Sequence, residues 1–130
     1  MTEVRQPADP AQTIKDWLAV ELPKIWPQVR VVLELPDDWE LGSDPVLVVA
    51  DDAGPVVWPI LTAHTIRIYS LTTGRDTEYV RRALGLLLSQ KVPGIASILP
   101  GTSVIEARDK RTRGDLASAT VRVRARTVVV

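Results

Sequence analysis

Residues 117–129, ASATVRVRARTVV, carry the clearest structural pattern in the chain. Small or apolar residues alternate with polar and charged residues along this stretch. Because successive side chains of a β-strand point to opposite faces of its sheet, the alternation predicts a strand with one packed face and one wet face, as in an antiparallel sheet. The wet face carries a row of three arginines, Arg122, Arg124 and Arg126. The remaining chain has to supply the other strands and a layer that covers the packed face.

Four further segments have the composition of strands. They are residues 30–35 (RVVLEL), 45–51 (PVLVVAD), 64–70 (HTIRIYS) and 102–108 (TSVIEAR). Four consecutive apolar residues, Val46 to Val49, indicate that the second of these strands is buried on both faces. Gly, Pro and Asp residues punctuate the segments between the strands, and residues 95–101 are expected to be a linker.

Two helices complete the predicted fold. Asp9 can cap the first helix and Pro10 suits its first position, whereas Pro23 should end it near Leu22. The second helix is expected to begin at Asp76 or Thr77 and to end at about Gln90. The element order α-β-β-β-α-β-β predicts an α+β fold with a mostly antiparallel five-stranded sheet. The buried core is expected to include Leu18, Leu84, Leu87, Val121 and Val123.

The length of 130 residues is that of a single domain, 1–130, in which residues 1–8 are expected to form a flexible N-terminal arm. The chain has no Cys and one histidine, His64, and it contains no P-loop, GxGxxG, HExxH or CxxC motif. We therefore expect no catalytic residue, no metal and no cofactor. The longest uncharged runs are too short to span a membrane, and the polar start is unlike a signal peptide, so we expect no membrane association.

Charge is distributed unevenly although the net charge is zero. Residues 1–66 carry 4 basic and 11 acidic side chains, whereas residues 67–130 carry 12 basic and 5 acidic side chains. The two halves either neutralise each other within one compact monomer or provide complementary surfaces for partners.

Three groups of residues are candidates for a subunit or partner interface. The acidic loops contribute Asp37, Asp38, Trp39, Glu40, Asp51, Asp52 and Trp58, the charged turn contributes Lys110, Arg111 and Arg113, and the last strand contributes Arg122, Arg124 and Arg126. Loop tryptophans are common interface anchors, but each could equally fold back over the sheet. The arginine row requires anions, which could come from Glu106 on the neighbouring strand, from an acidic patch on another subunit or from DNA. The turn is either a solvated hairpin tip or a segment that orders on binding.

The layout resembles the tail-terminator, or tail-completion, proteins of long-tailed bacteriophages, especially those of actinobacterial phages. The resemblance extends from residue 11 to residue 129. It rests on the segments LPKIWPQVRV, LPDDW, PVLVVADDAGP, HTIRIYS and DTEYVRRALGLLL and on a final hairpin that ends in VRVRAR. The stretch WPILTA departs from the polar lead-in that this family usually has before the third strand.

The resemblance implies a structural protein without catalytic residues. Such proteins form a ring, typically a homohexamer, that caps the tail tube and joins it to the head connector, with DNA passing through the lumen. The expected partners are further copies of the chain, the tail-tube protein and the head–tail connector protein. The expected location is the head–tail junction of the virion, and the host cytoplasm during assembly. The alternatives are a head–tail stopper or adaptor and, in a different class, a small nucleic-acid-binding module that uses the arginine row.

Overall fold

The structure is a computed structural model that describes residues 4–54, 56–57, 61–74 and 76–129. The helices are α1 (Pro10–Glu21), which continues into a 3₁₀ turn at Leu22–Lys24, and α2 (Glu78–Ser89). The strands are β1 (Arg5–Gln6), β2 (Arg30–Val32), β3 (Val46–Asp51), β4 (Val56–Val57), β5 (Leu61–Thr72), β6 (Ile95–Pro100), β7 (Ile105–Arg108), β8 (Asp115–Arg126) and β9 (Val128–Val129).

The centre of the fold is the antiparallel pair β5–β8, in which two twelve-residue strands pair along their whole lengths. Strand β3 lies antiparallel on the other side of β5, and β4 pairs with β5 beyond the end of β3. In the same way β6 and β7 pair with successive parts of β8. Strand β2 is parallel to β3, which gives the lateral order β2-β3-β5-β8-β6. The described sheet therefore has five lateral positions, two of which are shared by two strands each.

The predicted α+β class is confirmed, and most strand pairs are antiparallel as predicted, but the predicted number of five strands is wrong. The sheet is mixed and has seven strands in the described residues, one of them the two-residue β4. The expected linker 95–101 is largely strand β6. Gly, Pro and Ser residues in and before this segment favour a linker, but Pro93 precedes β6 and Pro100 is its last residue. An edge strand tolerates proline, because the missing N–H is not needed on its outer side.

Both helices pack on one face of the sheet. The cluster between them contains Ile14 and Leu18 of α1, Val80 and Leu87 of α2, and the inward side chains of β3, β5 and β8. Four of the five core residues predicted above are buried, while Leu84 is only partly buried at the rim of this cluster. The ring of Trp26, just after α1, packs edge-on against Tyr79 of α2, with centroids 4.8 Å apart, and links the two helices.

The helix termini follow the predicted capping. The Asp9 carboxylate accepts a hydrogen bond from the backbone N–H of Gln12 at 3.1 Å, and Pro10 occupies the first helical position. The Asp76 carboxylate accepts from the N–H of Glu78 at 2.9 Å at the start of α2. Within the segment expected to be a flexible arm, Arg5 and Gln6 pair with Val129 and Val128 in a separate two-stranded sheet.

The packing of α2 predicts that alanine substitutions at two adjacent leucines lower the free energy of unfolding by different amounts. Leu87 is fully buried, so Leu87→Ala should lower the free energy of unfolding by about 2–5 kcal/mol. Leu88 is exposed, so Leu88→Ala is the matched control and should change stability by less than about 1 kcal/mol. Urea unfolding followed by circular dichroism measures both. Equal effects of the two substitutions would contradict this orientation of α2.

Candidate functional site

The candidate site is the face of the sheet opposite the two helices, here called the open face. Near the start of β3 this face is covered by the loop 33–45, which packs a second, smaller cluster of Trp39, Val46, Val48 and Leu71. Further along, β5 and β8 present Thr65, Thr120 and the arginine row, and neither helix covers them. The open face is therefore apolar and covered at one end and basic and accessible at the other.

Trp39 folds back over the sheet, which was the alternative to its role as an interface anchor. Its side chain is 4% exposed, and its indole Nε1–H donates to the carbonyl of Asp44 at 3.0 Å. The ring lies against Gly114 of the opposite loop, where a Cβ would stand 2.7 Å from Cη2. Trp39 thus closes one end of the open face and does not present its ring to a partner. Trp58, the other proposed anchor, lies outside the described residues.

The arginine row lies on the open face as predicted. Arg122, Arg124 and Arg126 are exposed, and the β8 residues between them, Val123 and Ala125, are buried on the helix side. Same-face residues of a strand lie about 6.5–7 Å apart, so the row presents three cations in a line. Their cross-strand neighbours are uncharged and mostly small. Thr65 and Leu99 lie opposite Arg122, and Ala63 and Ser97 lie opposite Arg124.

Glu106, the expected intramolecular partner of the row, is not positioned to neutralise it. Glu106 pairs with Ala117, which faces the helices, so the glutamate projects from the other side of the sheet. No Asp or Glu side chain in the described part of the chain forms an ion pair with the row. Arg67, on the same face, differs because it pairs with Asp52 at 3.5 Å and stacks on Tyr69. The row is consequently a concentration of positive charge that the described protomer leaves unneutralised.

Asp51 lies in a hydrogen-bonded chain that the sequence did not indicate. Its carboxylate contacts Nδ1 of His64 at 2.8 Å, and Nε2 of His64 contacts the hydroxyl of Thr62 at 2.8 Å. Alternation along β5 already places residues 62 and 64 on one face, but it says nothing of Asp51, which comes from β3. A carboxylate, an imidazole and a hydroxyl in this order could activate a nucleophile. The Thr62 side chain, however, is 1% exposed, so the chain fixes the ends of β3 and β5.

The acidic and basic halves of the sequence are interleaved in space. The loop with Asp37, Asp38 and Glu40 and the turn with Lys110, Arg111 and Arg113 meet at the same end of the sheet, where Trp39 touches Gly114. At the other end, Asp51 and Asp52 lie beside β5, the neighbour of the arginine row. Acidic and basic segments are therefore adjacent in parts of the protomer, whereas the arginine row forms no ion pair with a described acidic residue.

The charged turn 109–114 is ordered by its own hydrogen bonds. The Asp109 carboxylate accepts from the hydroxyl of Thr112 at 2.6 Å and from the N–H of Thr112 at 2.8 Å. Arg113 has a positive φ of 61°, and its N–H donates to the carbonyl of Asp109 at 2.8 Å. The hydrogen bonds from Thr112, helped by the charge of Arg111, lower the pKa of Asp109. Lys110 and Arg111 stand exposed at the tip of an already folded turn.

The outer edge formed by β6 and β7 is an additional candidate that the sequence did not reveal. In the described residues both strands pair only with β8, so their outer N–H and C=O groups have no strand partner. Leu99 and Ile105 lie on the open face at this edge and are 44% and 56% exposed. The sequence predicts a linker at residues 95–101, so it does not predict that β6 forms part of an exposed sheet edge.

Comparison with known proteins does not assign the chain to a family. No protein-family model matches the sequence, and no curated protein sequence matches it significantly. Among the described residues, no group of three or more His, Asp or Glu side chains is arranged to hold a metal ion. None of the described helices has the length and apolar character needed to cross a membrane.

The contact between Trp39 and Gly114 predicts a steric penalty. A Cβ at Gly114 would lie 2.7–2.8 Å from two ring carbons of Trp39, so Gly114→Ala should displace the indole and lower stability by roughly 1–3 kcal/mol. Gly74→Ala is the control, because nothing lies within 4 Å of a Cβ at that position. Thermal unfolding gives the stability of both variants. The closure of this end by Trp39 is refuted if Gly114→Ala unfolds like the control.

The hydrogen bonds of the turn predict a pH dependence. Because the folded protein lowers the pKa of Asp109, this group stabilises the fold above its unfolded pKa, and the contribution is lost as pH falls through the folded pKa. Thr112→Val removes the hydroxyl donor but keeps the side-chain shape, so it should raise the pKa of Asp109. Titration of the carboxyl carbon by NMR measures this pKa. An unchanged value in Thr112→Val would show that the hydroxyl does not stabilise the carboxylate.

Proposed function

We propose that the protein is a structural tail-terminator protein of a long-tailed bacteriophage, which forms a ring from copies of itself. The observation that carries this proposal is the β6–β7 edge. It combines unpaired backbone groups with the exposed apolar side chains of Leu99 and Ile105. An uncovered strand edge with apolar side chains is a template for association with another chain. Leu99 and Ile105 are the proposed apolar anchors of the subunit interface, in place of Trp39, which is buried.

The proposed assembly is head-to-tail. The β6–β7 edge lies on one side of the sheet, and the short strand β2 lies on the other, so the two edges differ in length and side chains. Contact between the β6–β7 edge of one copy and a different surface of the next is heterologous, and such contacts close into rings when the rotation between copies permits. A homohexamer is the stoichiometry that the resemblance to tail terminators supports.

The proposed ring caps the tail tube and meets the head connector. Its partners are then the tail-tube protein and the head–tail connector protein, and its location is the head–tail junction of the virion. The charged tip at Lys110 and Arg111, held by the ordered turn, is available to such partners. A head–tail stopper or adaptor would use the same kind of interface and is separated from a terminator by the component it binds.

The β6–β7 edge provides the test of assembly. Ile105→Asp places a charge within the proposed contact, so it should reduce the oligomer of the wild type to monomer. Val20→Asp is the control, because Val20 is also exposed and apolar but lies on α1. Analytical ultracentrifugation, with and without tail-tube protein, measures the mass. A wild type that stays monomeric alone and with tail-tube protein would refute the ring, and equal loss of mass in both variants would refute this edge as the contact.

A further inference from the structure

We infer that the arginine row binds the phosphodiester backbone of nucleic acid. The site consists of Arg122, Arg124 and Arg126 on the open face of β8, with the flanking small residues of β5 and β6. It lies entirely within one protomer, so it does not depend on the proposed ring.

The spacing of the row suits a regular polyanion. Successive arginines on one face of a strand are about 6.5–7 Å apart. Each strand of B-DNA carries one phosphate per about 3.4 Å of helix axis, and because the strand winds around the axis, neighbouring phosphates lie farther apart than this rise, at a spacing comparable to that of the arginines. A row of evenly spaced guanidinium groups can thus contact successive phosphates of one strand. Guanidinium groups also match phosphate oxygens in their hydrogen-bonding geometry.

The surroundings of the row leave it accessible. Ala63 and Ser97 flank Arg124, and Thr65 and the exposed Leu99 flank Arg122, so Leu99 is the one large side chain among these four neighbours in register. The covering loop 33–45 packs at the other end of the open face, on Leu71 and Val46. A ligand can therefore approach the three guanidinium groups without displacing either helix or the covering loop.

The acidic residues of a second copy fit the row less well than phosphates do. Asp52 is already paired with Arg67, and Asp51 contacts His64 and accepts from the N–H of Ala53 at 2.7 Å. The remaining acidic cluster, in residues 37–44, lies on an irregular loop and has no strand repeat. Neutralisation of three evenly spaced cations by a neighbouring protomer would require these carboxylates to rearrange, whereas a nucleic acid backbone carries its charges at a fixed interval.

The residues in register with the row also indicate how the ligand is recognised. They include no aromatic side chain on which a base could stack and no amide that could read a base edge. Binding is therefore expected to be independent of sequence and strongly dependent on salt, because phosphate contacts release counterions. Double-stranded DNA stacks its bases inside the duplex and exposes its phosphates along the outside, which makes it a suitable probe.

The test compares two triple variants that lose the same charge. One carries Arg122→Gln, Arg124→Gln and Arg126→Gln, and the control carries Arg81→Gln, Arg82→Gln and Lys91→Gln, which are exposed on or just after α2. Binding of fluorescent double-stranded DNA of mixed sequence is measured by anisotropy over a series of salt concentrations. The slope of log K against log salt should become shallower by roughly 2.7 in the row variant, at about 0.9 per phosphate contact, and should change little in the control.

Several outcomes would overturn the inference. They are the absence of wild-type binding at low salt, an equal loss in both triple variants, and loss of oligomer with unchanged DNA binding in the row variant. Should the row variant fail to fold by circular dichroism, Arg124→Gln alone should make the slope shallower by about 0.9. DNA binding by Ile105→Asp separates the two proposals, because a monomeric variant that still binds DNA supports the site whether or not a ring forms.

Discussion

The pairing of β5 with β8 is the interaction on which the rest of the structure depends. Every other strand of the main sheet is attached directly or through one neighbour to this pair, and its helix-side residues form the floor of the main core. The same pairing fixes the alternation of β8, which buries Val121 and Val123 and turns the arginines outward. A register shift of one residue would reverse this arrangement and bury three unpaired cations, which is prohibitively costly. Core packing and the position of the basic row are thus set by one register.

Local sequence patterns predicted those structural features whose cause lies within a single segment of the chain. The alternation up to Arg126, the cap at Asp9 and the stop at Pro23 each have a local cause, and the structure agrees with them. The predicted strand continues to Val129, whereas the structure ends β8 at Arg126 and pairs Val128–Val129 with β1 in a separate sheet. The α+β class followed from these elements. Parallel pairing of β2 with β3 could not be predicted, because it depends on the path of the loop between them. Strand β6 escaped prediction because proline and glycine argue against strands in general, although an edge position accepts them.

The residues of the candidate site show the same difference between features with a local cause and features set by contacts that are distant in the sequence. The position of the arginine row on an open face was predictable from a period of two residues. The burial of Trp39 was not, because it depends on contact with Gly114, which is far away in the sequence. The two charged halves predicted either neutralisation within the monomer or complementary surfaces; antiparallel pairing brings some acidic and basic segments together, but leaves the arginine row without an ion pair in the described residues. Sequence charge asymmetry therefore says little about surface charge when the strands that connect the halves lie side by side.

The position of β8 has a consequence for biosynthesis. This strand is the middle of the sheet and yet follows nearly all other elements along the chain. During translation, α1, β3, β5 and α2 leave the ribosome before the strand that joins β5 to β6 exists. The nascent chain must keep the free edge of β5 and its apolar face from misassembly until residue 126 has emerged. A fragment that stops before Asp115 would lack the strand that unites the two sides of the core, so this fold cannot be completed until β8 has been synthesised.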